Sequence, residues 1–151
     1  MKSYQAVTMG WSQPAENTHA SLVEAMQRMD GVGLDLRLTA DDQLVVHHDH
    51  TVSISSDMFD GRPKNVEEWN LADLEEVGFC SFEKLMSDKE WLVPWQDHSK
   101  VACLEIKRSL PEIVRDPTKR MARVMELATE MVDEAGIHDQ AAVFYAFHRP
   151  M

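Results

Sequence analysis

The sequence predicts an α/β domain built on a mainly parallel sheet, and three observations predict it. Several short runs alternate apolar with polar residues, the period-2 pattern of strands. Runs with helical spacing fall between them, and capping residues and glycines separate the two kinds. The resulting order is strand, helix, strand, strand, helix, strand, helix, strand, which is the signature of an α/β sheet.

Residues 4–8 read as a short strand. Asn17 or Thr18 caps a helix whose Leu22, Val23, Met26 and Met29 share one face, and Asp30-Gly31 ends it. Residues 32–38 form a strand with Val32, Leu34, Leu36 and Leu38 on one face and Gly33, Asp35 and Arg37 on the other. Residues 44–48 form the next strand. The polar link between them, Thr39 to Asp42, is too short for a crossover, so read locally it favours an antiparallel hairpin.

Residues 50–64 form an irregular surface insertion. Asn65 with Glu68 makes a capping-box-like start for a helix carrying Val66, Trp69, Leu74 and Val77, closed by Gly78. Residues 82–86 add a turn or two of helix. Residues 91–100, with Pro94 and no clean period, read as loop. Residues 101–107 are a strand with Cys103, Glu105 and Lys107 facing one way. Asp116-Pro117 opens the longest helix, with Met121, Val124, Met125, Ala128, Met131, Val132 and Ala135 as its buried stripe and Gly136 at its end. Residues 141–147 are the last strand.

At 151 residues and 44% hydrophobic, the chain is long enough for one domain with a real core. Its formal net charge of −11 opposes nucleic acid and anionic membrane surfaces by like-charge repulsion. A phosphate-bearing substrate therefore needs a local cation. Cys80 and Cys103 lack metal-ligand spacing, and Cys103, inside an apolar run, reads as a reduced, buried thiol. There is no leader-like segment and no membrane-spanning run, so a cytoplasmic location follows by default.

Four motifs, in order, carry a resemblance. They are Glu16-Asn17-Thr18, Gly33-Leu34-Asp35, the run Thr39 to Asp49 ending in His48-Asp49, and Glu105-Ile106-Lys107. Together they resemble the glycerophosphodiester phosphodiesterase family, over about residues 6–110. The run ending in His48-Asp49 is the most specific part, and Phe82-Glu83-Lys84-Leu85 sits where the family often has a short helix.

The resemblance implies a partial (β/α)8 TIM barrel with about the first five strands, because a whole barrel needs about 250 residues. It also places both strands of the 32–48 region in the parallel barrel, against the local hairpin reading. Open sheet edges follow, so either the polypeptide is a fragment of a longer product or a partner chain, such as a second copy, completes the sheet.

For the site, the resemblance implies hydrolysis of a small glycerophosphodiester to glycerol 3-phosphate and an alcohol, a step of lipid metabolism. A divalent cation, Mg2+ or Ca2+, is expected on Asp35 and Glu105. His48 is the expected acid/base, Lys107 contacts the phosphate and takes part in catalysis, and Glu16 belongs to the substrate-binding set, although its residue type also suits a helix N-terminus.

This sequence departs from the pattern at two places. Thr8 and Met9 stand where the family has His-Arg, and Gly33 stands where it has a second carboxylate. A catalytically inactive relative or barrel fragment, acting as a phosphate- or metal-binding or interaction module, is the alternative. Read without the resemblance, Asp35 suits a solvated hairpin. His47, His48 and His50 suit a solvated loop or a metal trap. Lys107 and Glu105 lie about 7 Å apart along a strand, long for a direct contact.

Overall fold

A computed structural model describes residues 3–5, 16–52, 61–97 and 99–147. The strands are β1 (Ser3–Gln5), β2 (Gly31–Leu38), β3 (Leu44–Val46), β4 (Cys80–Ser81), β5 (Val101–Ile106) and β6 (Ala142–Tyr145). The helices are α1 (His19–Arg28), α2 (Leu71–Glu76), α3 (Phe82–Met86), α4 (Lys89–Gln96) and α5 (Pro117–Glu134), with 3-10 turns at Val66–Glu68 and Asp139–Ala141. The five predicted strands are present, and Cys80–Ser81 adds another.

β2 is the centre of the sheet. β1 runs parallel to its first half, from Ser3 opposite Gly31 to Gln5 opposite Gly33, while β5 lies parallel along its other edge and β6 parallel beyond β5. This is the order of consecutive barrel strands. β3 pairs with the second half of β2 in the antiparallel sense, Leu36 opposite Val46, and β4 extends that ribbon. The local reading of the short link was therefore right, and the expectation that β3 joins the parallel barrel is corrected. Five residues can turn a hairpin but cannot return the chain to the start of a parallel strand. Asp42, at φ 61°, takes the left-handed position of the turn.

One face of the sheet meets the helices. Val32, Leu34, Leu36 and Leu38 of β2 and Ala102, Leu104 and Ile106 of β5 form the core with Leu22, Met26, Trp91, Trp95, Val124, Ala128 and Val132. Gly31 begins β2 instead of ending α1, and it is needed there: a Cβ would sit 2.9 Å from the Val101 carbonyl oxygen. Arg120 of α5 locks the far end of β2, donating to the carbonyls of Leu38 and Thr39 and pairing with the buried Glu67, which also accepts from Ser109. Met125, placed in the buried stripe from sequence, is exposed at the border of the α5 face.

Two helical expectations are also corrected. The helix expected from Asn65 breaks at Trp69 and Asn70 into a 3-10 turn and α2, and the Asn65 side chain donates to Glu68 instead of capping the backbone. Gly78, at φ 96°, closes α2 as expected. The segment read as loop holds α4, capped by Asp88, whose side chain accepts from Glu90 N–H. Trp91 and Trp95, four apart, bury their rings on one face of it. The insertion is closed by a bridge between Thr51 and Asn65, and its residues 53–60 lie outside the described residues.

Candidate active site

The second face of the sheet carries the chemistry. Asp35 and Glu105 are partners in the β2–β5 register, and Glu105 is in turn the partner of Tyr145 on β6. Parallel pairing thus sets three oxygen-bearing side chains in a row, with backbones about 4.8 Å apart, near the C-terminal ends of their strands. In parallel barrels this is the end where active sites sit. Asp35 is 2% exposed and Glu105 5%, which sets aside the solvated-hairpin reading.

Lys107 lies just past the end of β5 and curls back. Its Nζ is 2.8 Å from Glu105 Oε1 and 3.8 Å from Asp35 Oδ1. The expectation that the pair is too far apart for contact is corrected, because the strand spacing limits Cα atoms and not a flexible four-carbon stem. The lysine is the counter-ion of both carboxylates.

Asn17 supplies a contact that the sequence reading did not assign. Held at φ 55°, a left-handed conformation that asparagine tolerates, it is buried and donates Nδ2–H to Asp35 Oδ2 at 2.9 Å. Glu16 is exposed in the turn ahead of the Thr18 cap, and α1 has no acidic residue in its first turn, so its helix-terminus role is corrected. The signal for Asn17 was present in its neighbour's motif: an asparagine directly before a capping threonine. Asp35 Oδ1 is buried and accepts no hydrogen bond.

Tyr145 is the second residue missed. It is the β6 partner of Glu105, and the pKa of its phenol is pushed up to about 12, first by burial and then by the negative charges of Glu105 and Asp35. Sequence had placed it on a strand, but only the β5–β6 register puts it beside Glu105. Cys103, on the same face, is only partly buried, whereas Cys80 is the enclosed thiol. The expectation of a buried Cys103 is corrected by the polar face it shares.

The three histidines separate. His48 stands in the turn after β3, half exposed, and its Nδ1–H donates to Asp49 Oδ1 at 2.7 Å. His47 packs against the Phe79 ring, centroids 4.6 Å apart, and its Nε2–H donates to the Thr51 carbonyl. His50 Nδ1 accepts from Arg37. They share no common point, so the metal-trap reading is set aside, and among the described residues no group of three or more His, Cys, Asp or Glu could hold a metal ion. Thr8 and Met9 lie outside the described residues.

Burial lowers the pKa of His47 below its ordinary 6.5. The unfolded chain then binds the proton that the folded ring refuses, so stability falls as pH drops through 6.5 toward the lower folded value. Urea midpoints measured from pH 7.5 to 5 are expected to decrease, and His47→Gln is expected to flatten that slope.

Asp35 and Glu105 fit a hard divalent cation in one respect. Both offer oxygen donors, and Asp35 Oδ1 is a buried acceptor still open. With no third carboxylate grouped with them among the described residues, the two would suit an ion such as Mg2+ that keeps several of its waters. No helix among the described residues is long and apolar enough to cross a membrane.

Comparison with known proteins shows where the fold recurs. Glycerophosphodiester phosphodiesterase from Parabacteroides distasonis superposes with a TM-score of 0.66 at 19% identity, covering 97% of this chain and 57% of that one. A phosphodiesterase of Oleispira antarctica, solved with the product sn-glycerol-3-phosphate, gives 0.66 at 18%, covering 97% and 57%. Glycerophosphodiester phosphodiesterase from Thermotoga maritima gives 0.55 at 17%, covering 87% and 48%. The chain therefore spans about half the length of the solved proteins it matches, and the shared fold is that part of the barrel. No curated protein matches it. The profile of the glycerophosphoryl diester phosphodiesterase family matches residues 4–144, and the chain belongs to that family.

Proposed function

We propose that this chain carries a phosphodiester-hydrolysing site that cleaves glycerophosphodiesters to glycerol 3-phosphate and an alcohol. The observation that carries the reading is the buried set of Asp35 and Glu105, side by side on neighbouring strands and bridged by Lys107, with Asp35 Oδ1 left open. A divalent cation held by these two carboxylates would polarise the phosphate oxygens. Lys107 stabilises charge that develops on the phosphate. Asn17 holds Asp35 in place through its hydrogen bond, and Tyr145 stands beside Glu105 in the sheet register.

His48 moves the proton. Asp49 takes the Nδ1–H, which leaves Nε2 of the neutral ring as the basic nitrogen, in the same way that an acidic partner orients a catalytic imidazole elsewhere. The substrate is a small molecule, and the free thiols fit a reducing compartment such as the cytoplasm.

A second reading rests on specific observations. Met9 and Gly33 replace groups the family pattern uses, and the chain spans about half of its solved relatives. In that reading the carboxylate-lysine site binds a phosphate or a metal without turnover. The β6 edge, with Val143 and Phe147 exposed, would receive the remaining strands from further sequence or from a partner copy. Glycerol 3-phosphate release from glycerophosphocholine, measured with Mg2+, Ca2+ or EDTA, separates the two. EDTA-sensitive release, lost by a hundredfold or more in Asp35→Asn, is expected of the hydrolase. A folded protein with no release at that sensitivity overturns it in favour of the binding module.

A further inference from the structure

We propose that Arg37 is a positioning residue that ties the His48 turn to the Lys107–Ser109 segment and so sets the imidazole and the lysine relative to each other. The inference deepens the hydrolase reading and rests on it for the role given to His48. Arg37 shares the polar face of β2 with Asp35, two residues on, and is 2% exposed. Its Nη2–H donates to the His48 carbonyl at 2.7 Å, and its Nη1–H donates to the Arg108 carbonyl at 3.3 Å and to His50 Nδ1 at 3.2 Å. One planar fork thus reaches two loops, one of them 11 residues away in sequence and the other 71.

Both loops need such a tether. His48 lies beyond the last residue of β3, and its half-exposed ring bonds to Asp49, the next residue, so that bond does not anchor the turn to the sheet. Lys107 lies beyond the last residue of β5. The ladder does continue for one step on each side, through His47 N–H to the Asp35 carbonyl and Lys107 N–H to the Leu36 carbonyl. Arg37 takes over at the residue after each of these, where backbone pairing ends.

Arg37 is not a stand-in for a phosphate-gripping arginine. Its Nη groups are committed to protein acceptors, and it is closed to solvent. Nor is charge its whole role. Glu67, Asp35, Asp49 and Glu105 all favour its charged form against the burial that opposes it, but a lysine would satisfy them equally. The planar fork serves the two carbonyls from two separate nitrogens, Nη2 for His48 and Nη1 for Arg108, a spread that the single nitrogen of a lysine lacks.

The test is Arg37→Lys, which keeps the charge and removes the fork. The expected result is a fall in kcat of about a hundredfold, as a displaced group of about 1 Å produces, with KM changed much less. In the protein without substrate, the His48 ring and Lys107 ammonium NMR signals are expected to shift together while the Trp95 indole signal stays in place. Unmoved His48 and Lys107 signals in a folded Arg37→Lys variant overturn the proposal. The unsubstituted protein gives an independent reading that does not depend on the variant folding. A guanidinium held by two carbonyls shows separately resolved, slowly exchanging Nη protons, and averaged, fast-exchanging ones overturn the tether. Absence of turnover in the unsubstituted protein overturns the hydrolase reading alone, and the two spectroscopic readings still decide the tether.

Discussion

Lys107→Met is expected to destabilise the fold by about 3–5 kcal/mol, because it leaves two neighbouring buried carboxylates without their cation. Asp35 and Glu105 lie on paired strands, and Lys107 is the ammonium that reaches both. Their mutual repulsion in a low-dielectric site is then offset only by the Arg37 charge and by the Asn17 hydrogen bond to Asp35. Urea unfolding followed by tryptophan fluorescence measures the loss, and a midpoint equal to that of the unsubstituted protein would show that the pair is hydrated after all.

Two companion measurements make the result diagnostic. Asp35→Asn in the Lys107→Met background removes one of the two stranded charges and is expected to recover part of the lost stability. Mg2+ is expected to recover stability as well, about 2.7 kcal/mol at a hundred times its dissociation constant, since an ion that binds only the folded state stabilises it by mass action. EDTA should remove that gain. A Lys107→Met midpoint indifferent to Mg2+, Ca2+ and EDTA would count against Asp35 and Glu105 as cation ligands, whatever the activity.

Trp95→Ala is the second large effect, a loss of about 3–5 kcal/mol. The Trp95 ring is fully buried, packs edge-on against Trp91 with centroids 5.7 Å apart, and donates its Nε1–H to the Ala141 carbonyl at 2.8 Å. That bond ties α4 to the entry of β6, so the substitution should loosen both. Hydrogen exchange is the sharper readout: amides of residues 142–145 are expected to lose protection along with those of α4. Loss of protection in α4 alone would mean that β6 is held by β5 without help from Trp95.

Trp95 also illustrates why part of the fold was hidden from sequence. An eight-residue helix shows one i, i+4 apolar pair, too little for a period to stand out, and Pro94 within it reads as a breaker. What forms α4 is tertiary. Asp88 caps its N-terminus while also accepting from His19 of α1, and two indoles find a pocket under the sheet. The break in the helix expected from Asn65 has a similar origin. The Trp69 carbonyl accepts from Ala40 N–H in the β2–β3 link, and its indole N–H donates to the Pro63 carbonyl, which draws the chain out of helical geometry at that point.

The site divides along the same line. Asp35, Glu105 and Lys107 were legible because each lies on or beside a strand whose alternation puts charge on one face, and two such strands in an apolar chain imply a common polar surface. Asn17, Arg37 and Tyr145 were not singled out. Asn17 depends on a left-handed turn that brings a loop over β2, and Tyr145 depends on the β5–β6 register. Arg37 was seen to share the face of Asp35, but the two loops it reaches are joined to it by folding and not by spacing.

By itself, the sequence determined the α/β class, five of the six described strands, the longest helix, the family and the two carboxylates that share a sheet face, because these rest on local periodicity and on short motifs that each sit within one element. The tertiary structure decided the separation of the three histidines, the bonds from Lys107, Asn17 and Arg37, and the place of Tyr145 beside Glu105. The physical reason is that these depend on register and loop path, which bring together groups as far as 71 residues apart whose pairing leaves no trace in either segment alone.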